Sequence, residues 1–169
     1  LMGLARLSGL RLPVVTGSDL TRAVLTDPRI AGCRIAIVGG RPALLAALQQ
    51  RVPQAHFIQT CPPMKVLSNE AALAAIERFV ADTQADIVFF AIGAPQSEIV
   101  AHRCLRAKQS RGVGLCIGAS LEFIVGDKRR APLWMQRMSL EWLFRLTTEP
   151  RRLWRRYLVE GPRVFAIWM

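Results

Sequence analysis

Four short apolar runs recur along this chain: Arg34–Val38 (RIAIV), Ala55–Ile58 (AHFI), Asp86–Ile92 (DIVFFAI) and Val113–Ile117 (VGLCI). Each has strand length, is rich in β-branched or aromatic residues, and lacks the polar alternation of a half-solvated strand, so each reads as buried. Between them lie Pro42–Arg51, Asn69–Asp82 and Pro95–Gln109, whose apolar residues repeat every 3.6 positions. Strands that alternate with helices pair in parallel, because a parallel connection has to cross over the sheet and a helix makes that crossing. The expectation is a doubly wound α/β arrangement. Asn69, or Ser68 before it, is placed to cap the helix that begins NEAALAAIERF, with Glu70 favouring its positive end.

The remainder of the chain differs in character. With 169 residues, 51% of them hydrophobic and 21% charged, the chain is long enough to bury one core and too apolar to be disordered. No run reaches the ~18 apolar residues that span a bilayer. The formal charge of +11 is unevenly spread. Residues 1–127 carry 13 Lys/Arg against 9 Asp/Glu, whereas 128–169 carry 10 against 3, and nine of those ten cations are arginine. A concentrated basic end implies a polyanionic partner, for which nucleic acid, anionic lipid and a diphosphate all qualify. The division expected is therefore an α/β domain over 1–127 and a basic appendage over 128–169. Cys33, Cys61, Cys104 and Cys116 are widely spaced, with no C-x-x-C pair, and read as buried or neutral thiols of a reducing compartment. The opening LMGLARLSGL reads as a helical pattern entered midway, which implies a truncated N-terminus.

Two glycine turns are candidates for holding phosphate. In open α/β sheets ligands collect beyond the carboxyl ends of the strands, where glycine admits the backbone and helix N-termini attract anions. IVGGRP (Ile37–Pro42) and AIGAPQSE (Ala91–Glu98) each run from strand through glycine into a helix. Neither is a dinucleotide fingerprint or a P-loop. Glu98 and His102 share a helix face at i, i+4, which reads as a solvated face and not a metal site. His56 reads as a core or strand-end residue.

The stretch EPRRLWRRYL (Glu149–Leu158) separates on a helical wheel at about 100° per residue. Arg151, Arg152, Arg155 and Arg156 occupy one side; Leu153, Trp154, Tyr157 and Leu158 occupy the other. Helices are expected over 133–147 and 150–160, with Pro150 in a first turn. Such a helix suits a membrane interface, its rings at headgroup level and its guanidiniums on lipid phosphate; packed on the domain with its arginines exposed, it would be a plain surface helix. Arginine's planar fork also matches phosphate oxygens bidentately. No nucleic-acid-binding motif is present, and the aromatics complete a helix face instead of forming stacking platforms, so nucleic acid is not an expected partner.

The run RAPLWMQRMSLEWLFRLTTEPRRLWRRYL (Arg130–Leu158) resembles the C-terminal signature of the WecG/TagA/CpsF family of bacterial glycosyltransferases, in which R-A-P, L-E-W-x-x-R-L and E-P-x-R-x-x-x-R-Y recur. TGSDL (Thr16–Leu20), IVGG, ADIVFFAIGAP and CIGASLEFIVG follow the family's order upstream. The resemblance implies a Rossmann-like parallel sheet with flanking helices and a C-terminal helical appendage. It implies transfer of a sugar from a UDP-sugar, of N-acetylmannosamine or uronic-acid type, to a saccharide on a polyprenyl diphosphate. That chemistry belongs to the making of exopolysaccharide, capsule, teichoic acid or common antigen. The place implied is cytoplasmic, peripheral on the inner face of the bacterial plasma membrane, whose anionic surface is a further partner.

By the same resemblance, Arg145, Arg152 and Arg155 stabilise diphosphate, and Gly17, Asp19, Gly39, Gly40, Gly93, Pro95, Gln96, Glu98, Arg130 and Glu141 are the substrate-binding candidates. Trp154, Tyr157, Arg151 and Arg156 are the membrane candidates. An inverting transfer needs a carboxylate to deprotonate the acceptor and cations to hold the leaving diphosphate; with arginines available, neither metal nor cofactor is required. The family's T-x-N segment and A-D-G aspartate, its candidate base, are expected upstream of Leu1. The chain departs from the family pattern with Ser97 for glutamine in G-x-P-x-Q-E, Val14 for a basic residue and Glu122 for aspartate. The alternative expectation is a catalytically inactive fragment that serves as a membrane-docking or nucleotide-sugar-binding module.

Overall fold

The computed structural model describes residues 9, 15–127, 131–132, 134–135, 138, 140–148, 150–154 and 159; of Glu141, Arg145 and Arg152 it describes the backbone alone. The chain divides into two compact units, Val14–Lys128 and a second that groups Leu1–Pro13 with Arg129–Met169. The expected helical pattern in LMGLARLSGL, Gly9 apart, lies outside the described residues.

Val14–Lys128 is built on four parallel strands, β1 (Arg34–Gly39), β2 (His56–Thr60), β3 (Ile87–Ala91) and β4 (Val113–Cys116), in the order β2-β1-β3-β4. Helices α1 (Gly17–Thr26), α2 (Ala43–Arg51), α3 (Glu70–Thr83), α4 (Gln96–Ala107) and α5 (Ser120–Val125) surround it. This is the α/β sheet expected. All four strands and the three intervening helices lie within two residues of their expected bounds. The expected cap at Asn69 is made, its Oδ1 accepting from the Ala72 N–H at 3.0 Å.

Alternate residues of the central strands enter two cores. Ile35, Ile37 and Phe89 face Leu25 of α1, Leu44 and Leu48 of α2 and Leu121 of α5. Ala36, Val38, Val88 and Phe90 face Leu73, Ile76 and Val80 of α3 with Val100 and Cys104 of α4. Both faces of β1 and β3 are therefore covered, which is why these runs have no polar alternation. The outer strands differ from expectation. β2 and β4 are sheet edges, and the ends of β4, Val113 and Cys116, are exposed. A single apolar run does not reveal whether a neighbour lies on each side of it. His56, the first residue of β2, is likewise exposed at the strand end.

In the second unit, α6 spans Glu141–Thr148 and α7 spans Pro150–Trp154. Trp134 and Met135 are helical as well. Met138 lies in a turn and Leu140 in no regular element, so the single helix expected over 133–147 is interrupted before Glu141, while Val159 is helical. The remaining parts of the expected helices lie outside the described residues. Within α7, Leu153 is buried while Arg151 and Trp154 are exposed. Among the described residues no helix is long and apolar enough to cross a membrane.

Candidate functional site

The strand order places both glycine turns side by side. β1 leads through α2 to its neighbour on one side, β2, and β3 leads through α4 to its neighbour on the other, β4. The two connections leave adjacent strands toward opposite faces of the sheet, which opens a crevice at their carboxyl ends. Gly39 and Ala91 are partners in the β1–β3 ladder, so Gly40–Arg41 and Ile92–Gly93 are the residues that flank this crevice.

The two turns use glycine for different reasons. Gly39 and Gly40 hold φ of +101° and +77°. A Cβ on Gly39 would come within 2.9 Å of the Ala91 carbonyl, and one on Gly40 within 2.6 Å of Leu44 Cδ2. Close packing alone demands both residues. Gly93 also has positive φ, +83°, yet its Cβ position has no heavy atom within 4 Å. There the backbone is bare toward open space, as a ligand approached by main chain would need. Gly93 also precedes α4, and Ser97 N–H already bonds the Gly93 carbonyl at 2.9 Å.

The side chains beyond Gly93 divide between core and solvent. Ser97, at the family's glutamine position, is buried, and its Oγ donates to the Phe90 carbonyl at 3.3 Å. Gln96 is half-buried, its Nε2 reaching the Ile92 carbonyl at 3.4 Å, while Pro95 and Glu98 are exposed. The amide at this turn is therefore one residue earlier than the family pattern has it. Glu98 lies close enough to β4 to act on Cys116, whose thiol is pushed up first by burial and then by the Glu98 charge. His102 is exposed, as Glu98 is. Of the thiols expected to be buried or neutral, Cys116 and Cys61 are both exposed, because each lies at the carboxyl end of an edge strand.

Gly17 and Asp19 open α1. Thr16 caps it, accepting from the Asp19 N–H at 3.2 Å and donating its hydroxyl to Asp19 Oδ2 at 2.6 Å. The Thr16 side chain is thus an N-cap that also holds the Asp19 carboxylate, so TGSDL starts a helix. Gly17 lies against the start of α5, its Cβ position 3.6 Å from Ser120 Oγ, which places Thr16–Asp19 on the same carboxyl side of the sheet as the crevice.

Three residues that sequence reasoning did not single out, Gln59, Arg41 and Asp127, help to complete this edge beside Glu122. Gln59, near the end of β2, donates its Nε2 to the carbonyls of Gly39 at 2.8 Å and Arg41 at 3.0 Å, and so pins the turn. Arg41 pairs with Asp127, which follows α5. The Asp127 hydrogen bond and charge, with the Glu122 charge adding to them, hold the Arg41 guanidinium above its ordinary pKa. The signal for Arg41 was its position directly after Gly39-Gly40. Glu122 was marked by its departure from the family's aspartate, whereas Gln59 and Asp127 had no signal, because their relevance depends on which strands and helices become neighbours.

In the other unit, Arg151 and Trp154 are exposed. Arg145, Arg152 and Glu141 are backbone positions in α6 and α7. Arg130, Arg155, Arg156 and Tyr157 lie outside the described residues. Among the described residues no group of three or more His, Cys, Asp or Glu could hold a metal.

Against this geometry, the model of the glycosyl transferase WecG/TagA/CpsF family matches residues 1–169. The chain belongs to that family. Membership of the WecG/TagA/CpsF family makes it a glycosyltransferase and implies a sugar donor and an acceptor. The open α/β sheet has a crevice at its strand switch point, the place where ligands of such sheets collect.

Proposed function

We propose that the protein transfers a sugar from a UDP-sugar, of N-acetylmannosamine or uronic-acid type, to a saccharide on a polyprenyl diphosphate, in the synthesis of an envelope or extracellular polysaccharide. The observation that carries the reading is the pairing of Gly39 with Ala91, which sets two glycine turns on either side of one crevice, one of them open at Gly93. Backbone N–H groups and a helix start are suited to hold a diphosphate there. Residues 1–127 act as the nucleotide-sugar domain in this reading, with Gly39, Gly40, Gly93, Pro95, Gln96 and Glu98 near the donor. Residues 128–169 act at an anionic membrane surface on its cytoplasmic side. Arg145, Arg152 and Arg155 stabilise the diphosphate as it departs, a role that rests on the family pattern and on the arginine fork's fit to phosphate.

The test is transfer of radiolabelled sugar from a panel of UDP-sugars to a polyprenyl-diphosphate-linked acceptor in detergent, with R145A, R152A and R155A beside the unaltered chain. Label in the lipid fraction, with turnover in the variants depressed at least ~100-fold, is the expected outcome, on the scale of losing a transition-state donor. Transfer unaffected by all three substitutions removes the arginines from the mechanism. Failure of every UDP-sugar both to transfer and to bind the chain removes the donor class, whereas binding without transfer favours a nucleotide-sugar-binding module.

A further inference from the structure

We infer that Arg41 is the residue of Val14–Lys128 that binds the donor's phosphate, and that Asp127 holds its guanidinium until phosphate takes the carboxylate's place. The inference rests on the nucleotide-sugar reading above and gives that crevice its own cation.

The two loops that border the crevice directly, residues 40–42 after β1 and 92–95 after β3, hold one Lys or Arg, Arg41; past the outer strands, residues 117–119 after β4 hold none and Lys65 stands five residues beyond the end of β2. Its position is fixed by the ladder. Gly39 pairs with Ala91, so Arg41 and Gly93 each stand two residues past the pair, on adjacent strands. The backbone of Arg41 is held on two sides, its carbonyl accepting from Gln59 Nε2 at 3.0 Å and from the Leu44 N–H at 2.9 Å. The side chain is not held so firmly, being 60% exposed and tied to Asp127, itself 31% exposed. An ion pair so open to water is worth little, and a phosphate that offers two oxygens to the guanidinium fork can replace it. A fixed backbone, an exchangeable guanidinium and open space at Gly93 together describe a cation set for a ligand that arrives from solvent.

The reading requires opposite effects from the two partners of one ion pair. Without Arg41 the phosphate loses its cation, whereas without the Asp127 charge it loses a competitor and a repelling neighbour. A purely structural ion pair would have both substitutions act alike. Equilibrium binding of UDP to the full chain at fixed ionic strength, with uridine as the phosphate-free control, separates the two cases. R41Q is expected to weaken UDP about tenfold, R41K by less, and D127N to tighten it about threefold, on the scale of one charge-assisted bond and one exposed charge. Uridine binding should not respond to any of them. Thermal melting of each variant monitors folding, and R41K with D127N carries the test if R41Q does not fold. UDP binding that R41K and D127N leave unchanged, or weaken alike, overturns the role of Arg41 and leaves the donor crevice standing. Failure of both UDP and inorganic pyrophosphate to bind the unaltered chain overturns both.

Discussion

The side-chain amide of Gln59 donates to the Gly39 carbonyl at 2.8 Å from the neighbouring strand, and with its second bond, to Arg41, it ties β2 to the turn that follows β1. One amide thus serves two carbonyls at a glycine turn, of which the Arg41 carbonyl also accepts from the Leu44 N–H. Gln59→Leu keeps the volume and removes both bonds, so it should cost about 1–3 kcal/mol in urea unfolding, the range for part-buried polar groups left unpaired. Gln59→Glu should cost more, since a carboxylate would then face two carbonyls. If Q59L unfolds at the same urea concentration as the unaltered chain, the turn does not depend on the amide.

The glycines should sort by what surrounds them. Gly39→Ala must push against the Ala91 carbonyl as well as adopt an unfavourable φ, and should cost roughly 2–5 kcal/mol. Gly93→Ala meets no atom and carries only the φ penalty, about 1–2 kcal/mol. If the crevice takes the donor, G93A should weaken UDP binding out of proportion to its small loss of stability. A G93A chain that binds UDP normally would show that ligand does not approach this backbone.

These positions also show what the sequence discloses and what it conceals. RIAIV and DIVFFAI announce themselves because β1 and β3 are buried on both faces, and the caps and breaks around α3 follow from Asn69 and its neighbours. The lateral order β2-β1-β3-β4 is not written in any one segment. It decides which turns adjoin, and therefore that Gly40 and Gly93 flank one crevice and that Gln59 reaches Gly39 and Arg41. α1 was missed because Gly17 and Asp19 have turn character and the cap at Thr16 shows only as the reciprocal bond with Asp19. α5 was missed because six residues carry less than two full turns of periodicity. Arg41 was legible as a letter beside two glycines, but its pairing with Asp127 is a fact of tertiary structure.

Arg103 joins α4 to α3 through Glu77 and Glu70, with both nearest contacts at 2.6 Å. The Arg103 hydrogen bond holds the Glu70 carboxyl below its ordinary value of 4.5. A carboxyl whose pKa is lowered by folding stabilises the fold fully above its unfolded pKa and loses that contribution as pH falls through the folded one. Stability of the unaltered chain should therefore decline below about pH 4.5 by an increment that Arg103→Gln lacks. The difference between the two thermal midpoints, followed from pH 6 to pH 3, should shrink. A constant difference would mean that the ion pairs contribute nothing.

The cysteines should differ in reactivity along the same physical lines. Burial pushes the Cys104 thiol up to about 11 and removes it from solvent, so a disulfide reagent at pH 8 should not label it until the chain unfolds. Cys61 and Cys116 are exposed and should label in the native state. Glu98→Gln removes a negative charge that acts on Cys116, lowering that thiol's pKa and accelerating its labelling without altering Cys61. Equal rates at Cys116 in both chains would place Glu98 away from the end of β4.

Trp134, Met138, Trp142, Leu143, Trp154 and Val159 are exposed in the C-terminal unit, an unusual density of large apolar surface beside so much arginine. In the proposed membrane role, the arginines supply attraction that salt screens and the tryptophans supply insertion that salt does not. Partitioning onto anionic vesicles should then fall in two separable ways. Arg151→Gln should reduce binding at low salt and matter little at high salt. The combined W134A, W142A and W154A substitutions should reduce binding about tenfold or more at both, since burial of even part of each indole is worth about 1 kcal/mol or more. Neutral vesicles should bind the unaltered chain weakly and respond to the tryptophans alone. Binding that vanishes with salt and ignores the tryptophan changes would mean that the unit adheres by charge without entering the interface, and would remove Trp154 from the membrane assignment.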